Sequence, residues 1–138
     1  AAMEVAPHQT SSYGIVDIAE DKGSLVRAAG LVEKPQPQDA PSNLAVIGRY
    51  ILTPKVLTNL TRMRQGAGGE IQLTDAIAEE VMGKEGVHAL RFRGKRYDCG
   101  SKIGFLQATV AFGLSRPDLG GEFEAFLHAL FAMQKAAQ

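Results

Sequence analysis

A single cysteine, Cys99, is all the thiol this chain has, so no disulfide can close within it and a reducing compartment suits it. Excess charge is also missing, because Lys plus Arg and Asp plus Glu stand at 15 each. Without a net field to gather polyanions, neither nucleic acid nor a membrane surface is an expected partner. No basic run is interleaved with aromatics, and no apolar stretch reaches the length of a membrane span. The opening Ala1-Ala2-Met3-Glu4 lacks the charged-then-apolar order of a signal peptide. His8, His88 and His128 are scattered without metal-ligand spacing. These absences leave a soluble, cytoplasmic, globular chain as the expectation, and 138 residues suffice to bury a core.

What is present alternates between strand and helix signals. Residues 13–18 are rich in β-formers, Asp21-Lys22-Gly23 signals a turn, and 25–32 supply a second strand, which predicts a hairpin. Three prolines make 35–42 a loop. Residues 44–52 are apolar on both faces except at Arg49, the pattern of a central strand. Thr53-Pro54 places an N-cap before a proline at the first helical position, starting a helix to about Arg64 that buries Val56, Leu57 and Leu60. Gly66-Ala67-Gly68-Gly69 breaks that pattern, and a second helix from about Leu73 carries Ile77 and Val81. A short strand is expected over 87–92, and Ser101 caps a helix burying Ile103, Leu106 and Val110. Phe123, Phe126, Leu127, Leu130 and Phe131 form the apolar stripe of a last helix. Together the elements predict an α/β layered architecture. Their number makes an awkward complete sheet, so the chain is read as part of a larger fold with an unpaired sheet edge.

The stretch with the most chemistry is Val32-Glu33-Lys34-Pro35. Pro35 has no N–H for a ladder and stops the strand, which leaves Glu33 and Lys34 at its carboxyl end, where open α/β sheets place ligands. A carboxylate that accepts sugar hydroxyls beside an ammonium that holds phosphate suits a sugar phosphate. An exposed ion pair with no ligand is the alternative.

Five pieces in order carry a resemblance. They are Tyr13-Gly14-Ile15-Val16-Asp17, Val32-Glu33-Lys34-Pro35, Pro41-Ser42-Asn43-Leu44-Ala45-Val46-Ile47-Gly48-Arg49-Tyr50, Gly66-Ala67-Gly68-Gly69-Glu70-Ile71-Gln72-Leu73-Thr74-Asp75-Ala76-Ile77 and Tyr97-Asp98-Cys99-Gly100-Ser101-Lys102. Over residues 3–128 the chain resembles the carboxyl-terminal half of the bacterial UTP–glucose-1-phosphate uridylyltransferases, sugar-nucleotide pyrophosphorylases. The Gly-Glu-Ile-Gln-Leu-Thr-Asp and Asp-Cys-Gly pieces favour these over thymidylyl- and adenylyltransferase relatives. The resemblance implies part of a Rossmann-like nucleotide-diphospho-sugar transferase fold, a mixed sheet with flanking helices, its amino-terminal nucleotide-binding portion absent. It divides the chain into a sugar-binding part, 1–115, and a carboxyl-terminal helix, 116–138, for packing or oligomerisation.

The activity so implied is uridylyl transfer from UTP to glucose 1-phosphate, giving UDP-glucose and pyrophosphate with Mg²⁺. By the match, Lys34 is the catalytic residue and holds phosphate, Glu33 accepts a glucose hydroxyl, Gly14 and Gly48 border the substrate, and Asp98 ligates Mg²⁺. The glycine-rich loop and mid-chain Asp of these enzymes have no counterpart in the sequence, so the chain by itself is expected to be inactive. A homo-oligomer is expected, and a non-catalytic sugar-phosphate-binding or oligomerisation module is the competing reading. Plain alternatives stand beside each residue. Asp98 caps the helix near Ser101, Gly14 is an ordinary strand glycine, and Glu70, Thr74 and Asp75 form a helix start. Cys99 reads as a small buried hydrophobe. Arg49 stands open between a core ion pair and a site residue.

Overall fold

The computed structural model describes residues 1–63 and 70–136. The break expected at Gly66-Ala67-Gly68-Gly69 lies outside the described residues. The chain forms two compact units divided between Arg93 and Gly94.

In the first unit the expected hairpin forms between β2 (Gly14–Lys22) and β3 (Leu25–Glu33), with β1 (Ala2–Glu4) ahead of them. The turn between them holds Gly23 at φ 75°, and Asp21 Oδ1 accepts the Gly23 N–H at 2.9 Å. With β4 (Leu44–Val46) and β5 (His88–Leu90) the sheet runs β1-β4-β2-β3-β5. The strand pairs are antiparallel, and a parallel bridge joins Ala2 to Arg91, just past β5. That bridge curls the sheet, and Phe92 N–H donates to the Ala2 carbonyl at 2.7 Å. The two edges therefore meet each other along part of their length, where the sequence led us to expect an open edge.

The strand expected over 44–52 is regular only at β4. Gly48 adopts φ 74°, a left-handed turn of the backbone that no strand continues through. An apolar run reads the same whether or not it is laddered, which is why the sequence overextends it. Arg49, beyond that turn, is exposed, so the buried ion pair is not realised.

Helix α1 (Pro54–Arg62) starts at the expected Thr53-Pro54, although Thr53 makes no side-chain cap bond. It buries Val56 and Asn59, while Leu57 is exposed, contrary to expectation. Asn59 Nδ2 donates to Glu80 Oε1 at 2.7 Å and to the Ala76 carbonyl at 3.3 Å. These bonds tie α1 to α2 (Leu73–Ala78). Two apolar clusters fill the unit. One gathers Ala2, Val16, Val26, Ala28 and Leu44 with Val81 and Ala89, and the other gathers Val56, Ala76 and Ile77. Leu31 and Val87 pack against both clusters. Burial of a side chain such as Val16 or Leu44 is worth about 1.5–3 kcal/mol.

The second unit holds α3 (Lys102–Ser115) and α4 (Gly120–Ala136). Ser101 caps α3 as expected, its Oγ accepting the Gly104 N–H at 3.1 Å. Phe123 of α4 lies over Gly113 of α3, so close that a Cβ there would stand 2.8 Å from its ring. Contrary to expectation, Ile103, Leu106 and Val110 are exposed, and the buried residues of α3 are Gly104 and Ala108. A pair of helices has one mutual interface, which covers one stripe of each and leaves the rest bare. Phe126, Leu130 and Phe131 of α4 are exposed as well. No helix among the described residues is long and apolar enough to cross a membrane.

Arg91 fastens the curled sheet. Its guanidinium donates to Asp21 at 2.6 and 2.7 Å, to the Gly23 carbonyl at 2.6 Å and to Glu4 at 3.3 Å. The Arg91 bonds, followed by the Gly23 N–H, lower the Asp21 carboxyl from 3.8 to about 2. A carboxyl depressed in the folded state adds stability above its unfolded value and loses it as pH falls through its folded one. Arg91→Ala should therefore melt below wild type at neutral pH, and the gap should close as pH falls from about 4 to about 2. Calorimetry across that range checks this, and a gap that does not change with pH would refute the assignment.

Candidate functional site

Glu33 and Lys34 lie where the sequence puts them, at the end of β3. Register supplies a partner for them, since Gly14, the first residue of β2, stands directly opposite Glu33. Cross-strand partners point to one face, and two residues back that face carries Val16 opposite Leu31. Glu33 is thus the polar end of a row that is otherwise core. Its side chain is only 14% exposed, and a carboxylate withdrawn from water needs donors.

The donor comes from α2, packed against β3. Thr74, itself buried, donates its hydroxyl to Glu33 Oε2 at 2.5 Å. Gly14 makes this meeting possible. A Cβ at position 14 would lie 2.9 Å from Thr74 Oγ1 and 3.1 Å from Glu33 Oε2, closer than side chains tolerate. The missing side chain of Gly14 is therefore filled by the Thr74–Glu33 pair. The helix-start reading of Thr74 does not describe its role here, because α2 begins after Gln72 and the Thr74 hydroxyl is spent on Glu33.

Lys34 is held in an uncommon conformation. Its φ is 47°, the left-handed region, and among the described residues it is the one non-glycine there. Its N–H donates to the Tyr13 carbonyl at 3.0 Å, extending the ladder by one bond before Pro35 ends it. Such a conformation costs about 1–3 kcal/mol and concentrates at ligand sites. The ammonium stands 3.8 Å from Glu33 Oε1, and its side chain is 57% exposed. An ion pair so open to water is worth about 0–1 kcal/mol, so little is lost when the ammonium swings to an incoming anion. Tyr50 senses the same carboxylate: burial first, then the negative charge of Glu33, raises its phenol above the ordinary value. Neither Thr74 nor Tyr50 was singled out from sequence as a site residue. Gly48 presents an open backbone, with nothing within 4 Å of where a Cβ would stand.

In the second unit, Asp98 Oδ1 accepts the Gly100 N–H at 3.1 Å. Its carbonyl accepts both the Ser101 hydroxyl at 3.0 Å and the Ser101 N–H at 3.1 Å. Gly104 permits this, since a Cβ there would fall 2.1 Å from that carbonyl. Ser101, not Asp98, is the cap of α3, so the Asp98 carboxylate keeps an oxygen for other work. It is exposed. Among the described residues no three His, Cys, Asp or Glu side chains cluster as a metal site. A lone exposed carboxylate fits a Mg²⁺ ion that takes its other ligands from phosphates and water. Cys99 is exposed, not buried as expected, because it lies in the turn that leads to the cap.

A cavity of about 530 Å³ also opens in the first unit, lined by core residues such as Val16, Leu31, Val56 and Ile77 together with Arg49 and Tyr50. Gly14, Glu33 and Lys34 do not line it.

Comparison with known proteins finds similar chains within one family. Residues 1–113 match the family described as nucleotidyl transferase. A UTP–glucose-1-phosphate uridylyltransferase of Komagataeibacter xylinus is 56% identical over 103 residues, covering 75% of this chain and 36% of that protein. The Staphylococcus epidermidis uridylyltransferase is 43% identical over 128 residues, covering 93% of this chain and 44% of its own length. A crystal structure of UDP-glucose pyrophosphorylase complexed with UDP-glucose superposes with a TM-score of 0.76 at 43% identity, covering 83% of this chain and 43% of that one. The chain thus spans under half the length of the relatives it matches.

The left-handed backbone at Lys34 yields a direct test. Glycine takes that conformation without the Cβ penalty, so Lys34→Gly should exceed Lys34→Ala in stability by about 1 kcal/mol in urea unfolding. Equal stability of the two variants would show that the strain is not held.

Proposed function

Because the chain belongs to the nucleotidyl transferase family, we propose that it forms the sugar-phosphate wall of a UTP–glucose-1-phosphate uridylyltransferase. The observation that carries this reading is the strand end itself: a nearly buried carboxylate, Glu33, fixed beside a strained and exposed lysine, Lys34. A sugar hydroxyl donates to Glu33, and the Lys34 ammonium holds the phosphate. In the whole enzyme a phosphate oxygen of glucose 1-phosphate attacks the α-phosphorus of UTP. One P–O bond forms, the α–β bridge breaks, and pyrophosphate leaves with the electron pair. The nucleophile is already an anion, so positioning and charge neutralisation do most of the work and no strong base is required. Gly48 borders the substrate with open backbone. Asp98 would hold Mg²⁺, which supplies charge neutralisation at the phosphates.

Several features beyond the chemistry belong to the same proposal. The exposed, unpaired Cys99 suits a reducing, cytoplasmic setting. Balanced charge argues against nucleic acid or membranes as partners. The bare apolar residues of α3 and α4 favour a homo-oligomer.

The chain by itself binds but does not turn over. Incubated with UTP, glucose 1-phosphate and Mg²⁺, it should release no pyrophosphate, and release would overturn the half-site reading. Titration with UDP-glucose should reveal weak binding that Lys34→Ala abolishes. Binding that ignores this change would remove Lys34 from the site.

A further inference from the structure

The two oxygens of Glu33 are committed differently. Oε2 accepts the Thr74 hydroxyl at 2.5 Å, whereas Oε1 stands 3.8 Å from the exposed ammonium of Lys34. A hydroxyl has one proton to give. Thr74 gives its proton to Glu33 from a buried position on α2. Gly14 closes the arrangement from below, because the volume a side chain would need is already occupied by Thr74 Oγ1, Thr74 Cγ2 and Glu33 Oε2. Three elements, the start of β2, the end of β3 and α2, therefore converge on one carboxylate oxygen.

We propose that Thr74 is the positioning residue of the sugar site: its hydroxyl fixes Glu33 Oε2 and so presents Oε1 as the acceptor for a sugar hydroxyl. The inference rests on the reading of Glu33 and Lys34 as a sugar-phosphate site and deepens it by separating two jobs. Lys34 recognises phosphate whatever the sugar. The Thr74–Glu33 pair recognises the hydroxyl-bearing ring. A carboxylate without its hydrogen bond would rotate toward Lys34 or water, and each binding event would have to order it again.

The test uses this chain with Thr74→Val, which removes the hydroxyl and keeps the shape, and Thr74→Ser, which keeps the hydroxyl. Glucose 1-phosphate and inorganic phosphate are titrated against each, with amide shifts near Lys34 as the readout. Thr74→Val should weaken glucose 1-phosphate at least about tenfold, the scale of one hydrogen bond to a charged group. It should leave inorganic phosphate unchanged, and Thr74→Ser should bind both as wild type does. Unaltered glucose 1-phosphate binding in Thr74→Val overturns the proposal. So does equal weakening of both ligands, which marks a structural role alone. Should wild type bind neither ligand, the sugar-phosphate reading falls, and the side-chain couplings of Glu33 decide the positioning role. A single rotamer in wild type and Thr74→Ser with averaging in Thr74→Val supports it, and a single rotamer in Thr74→Val refutes it.

Discussion

The candidate site depends on the register of one hairpin. Lys22 pairs with Leu25 at the turn, and eight residues away on each strand Gly14 pairs with Glu33. The ladder is irregular around Ile18 and Ala28, where each strand passes one residue unpaired and the register then returns. A lasting slip of one residue would send Glu33 to the opposite face. Gly14 would then open its space under a different side chain, and Thr74 would face no carboxylate. The turn at Gly23, held by Asp21 and by Arg91, thus fixes a contact at the far end of the strands.

Energetically the site combines a firm part and a loose part. Glu33 is withdrawn from solvent and hydrogen-bonded, so moving it means leaving a buried charge without its donor, a cost of about 1–3 kcal/mol or more. Lys34 is exposed, and its pairing with Glu33 is weak. Rigidity lies in the backbone beneath it instead: a left-handed residue between a ladder bond to Tyr13 and the ring of Pro35. An exposed ammonium on a fixed root can change partners while its origin stays put.

The parts of this arrangement visible in the sequence are those encoded locally. Pro35 marks a strand end by lacking an N–H, Gly23 after an acid marks a turn, and Ser101 and Thr53-Pro54 mark helix starts. Thr74 escaped because its meaning comes from Glu33, which lies 41 residues away in the chain. Nothing within the turn around Thr74 distinguishes a hydroxyl that caps from one that reaches across to a strand. The overlong strand at 44–52 failed for a different reason. Hydrophobicity reports burial, not pairing, and a left-handed Gly48 leaves no trace in an apolar pattern. Ile103, Leu106 and Val110 show the same gap from the other side, since a helical stripe announces a wish for cover without naming what supplies it.

Each unit meets its own local requirements in its own way. In the first, Arg91 and the Ala2 bridge join the sheet edges, so the Glu33 wall rests on a sheet whose two ends are tied together. In the second, Asp98 is placed by backbone: its carbonyl is gripped by Ser101, which in turn caps α3, and Gly104 is the residue that lets the grip close. The carboxylate is thereby aimed by a helix cap rather than by side-chain packing. A carboxylate positioned this way tolerates change in the apolar residues of α3 but not a side chain at Gly104. A Cβ 2.1 Å from the Asp98 carbonyl would push out the turn that carries the carboxylate.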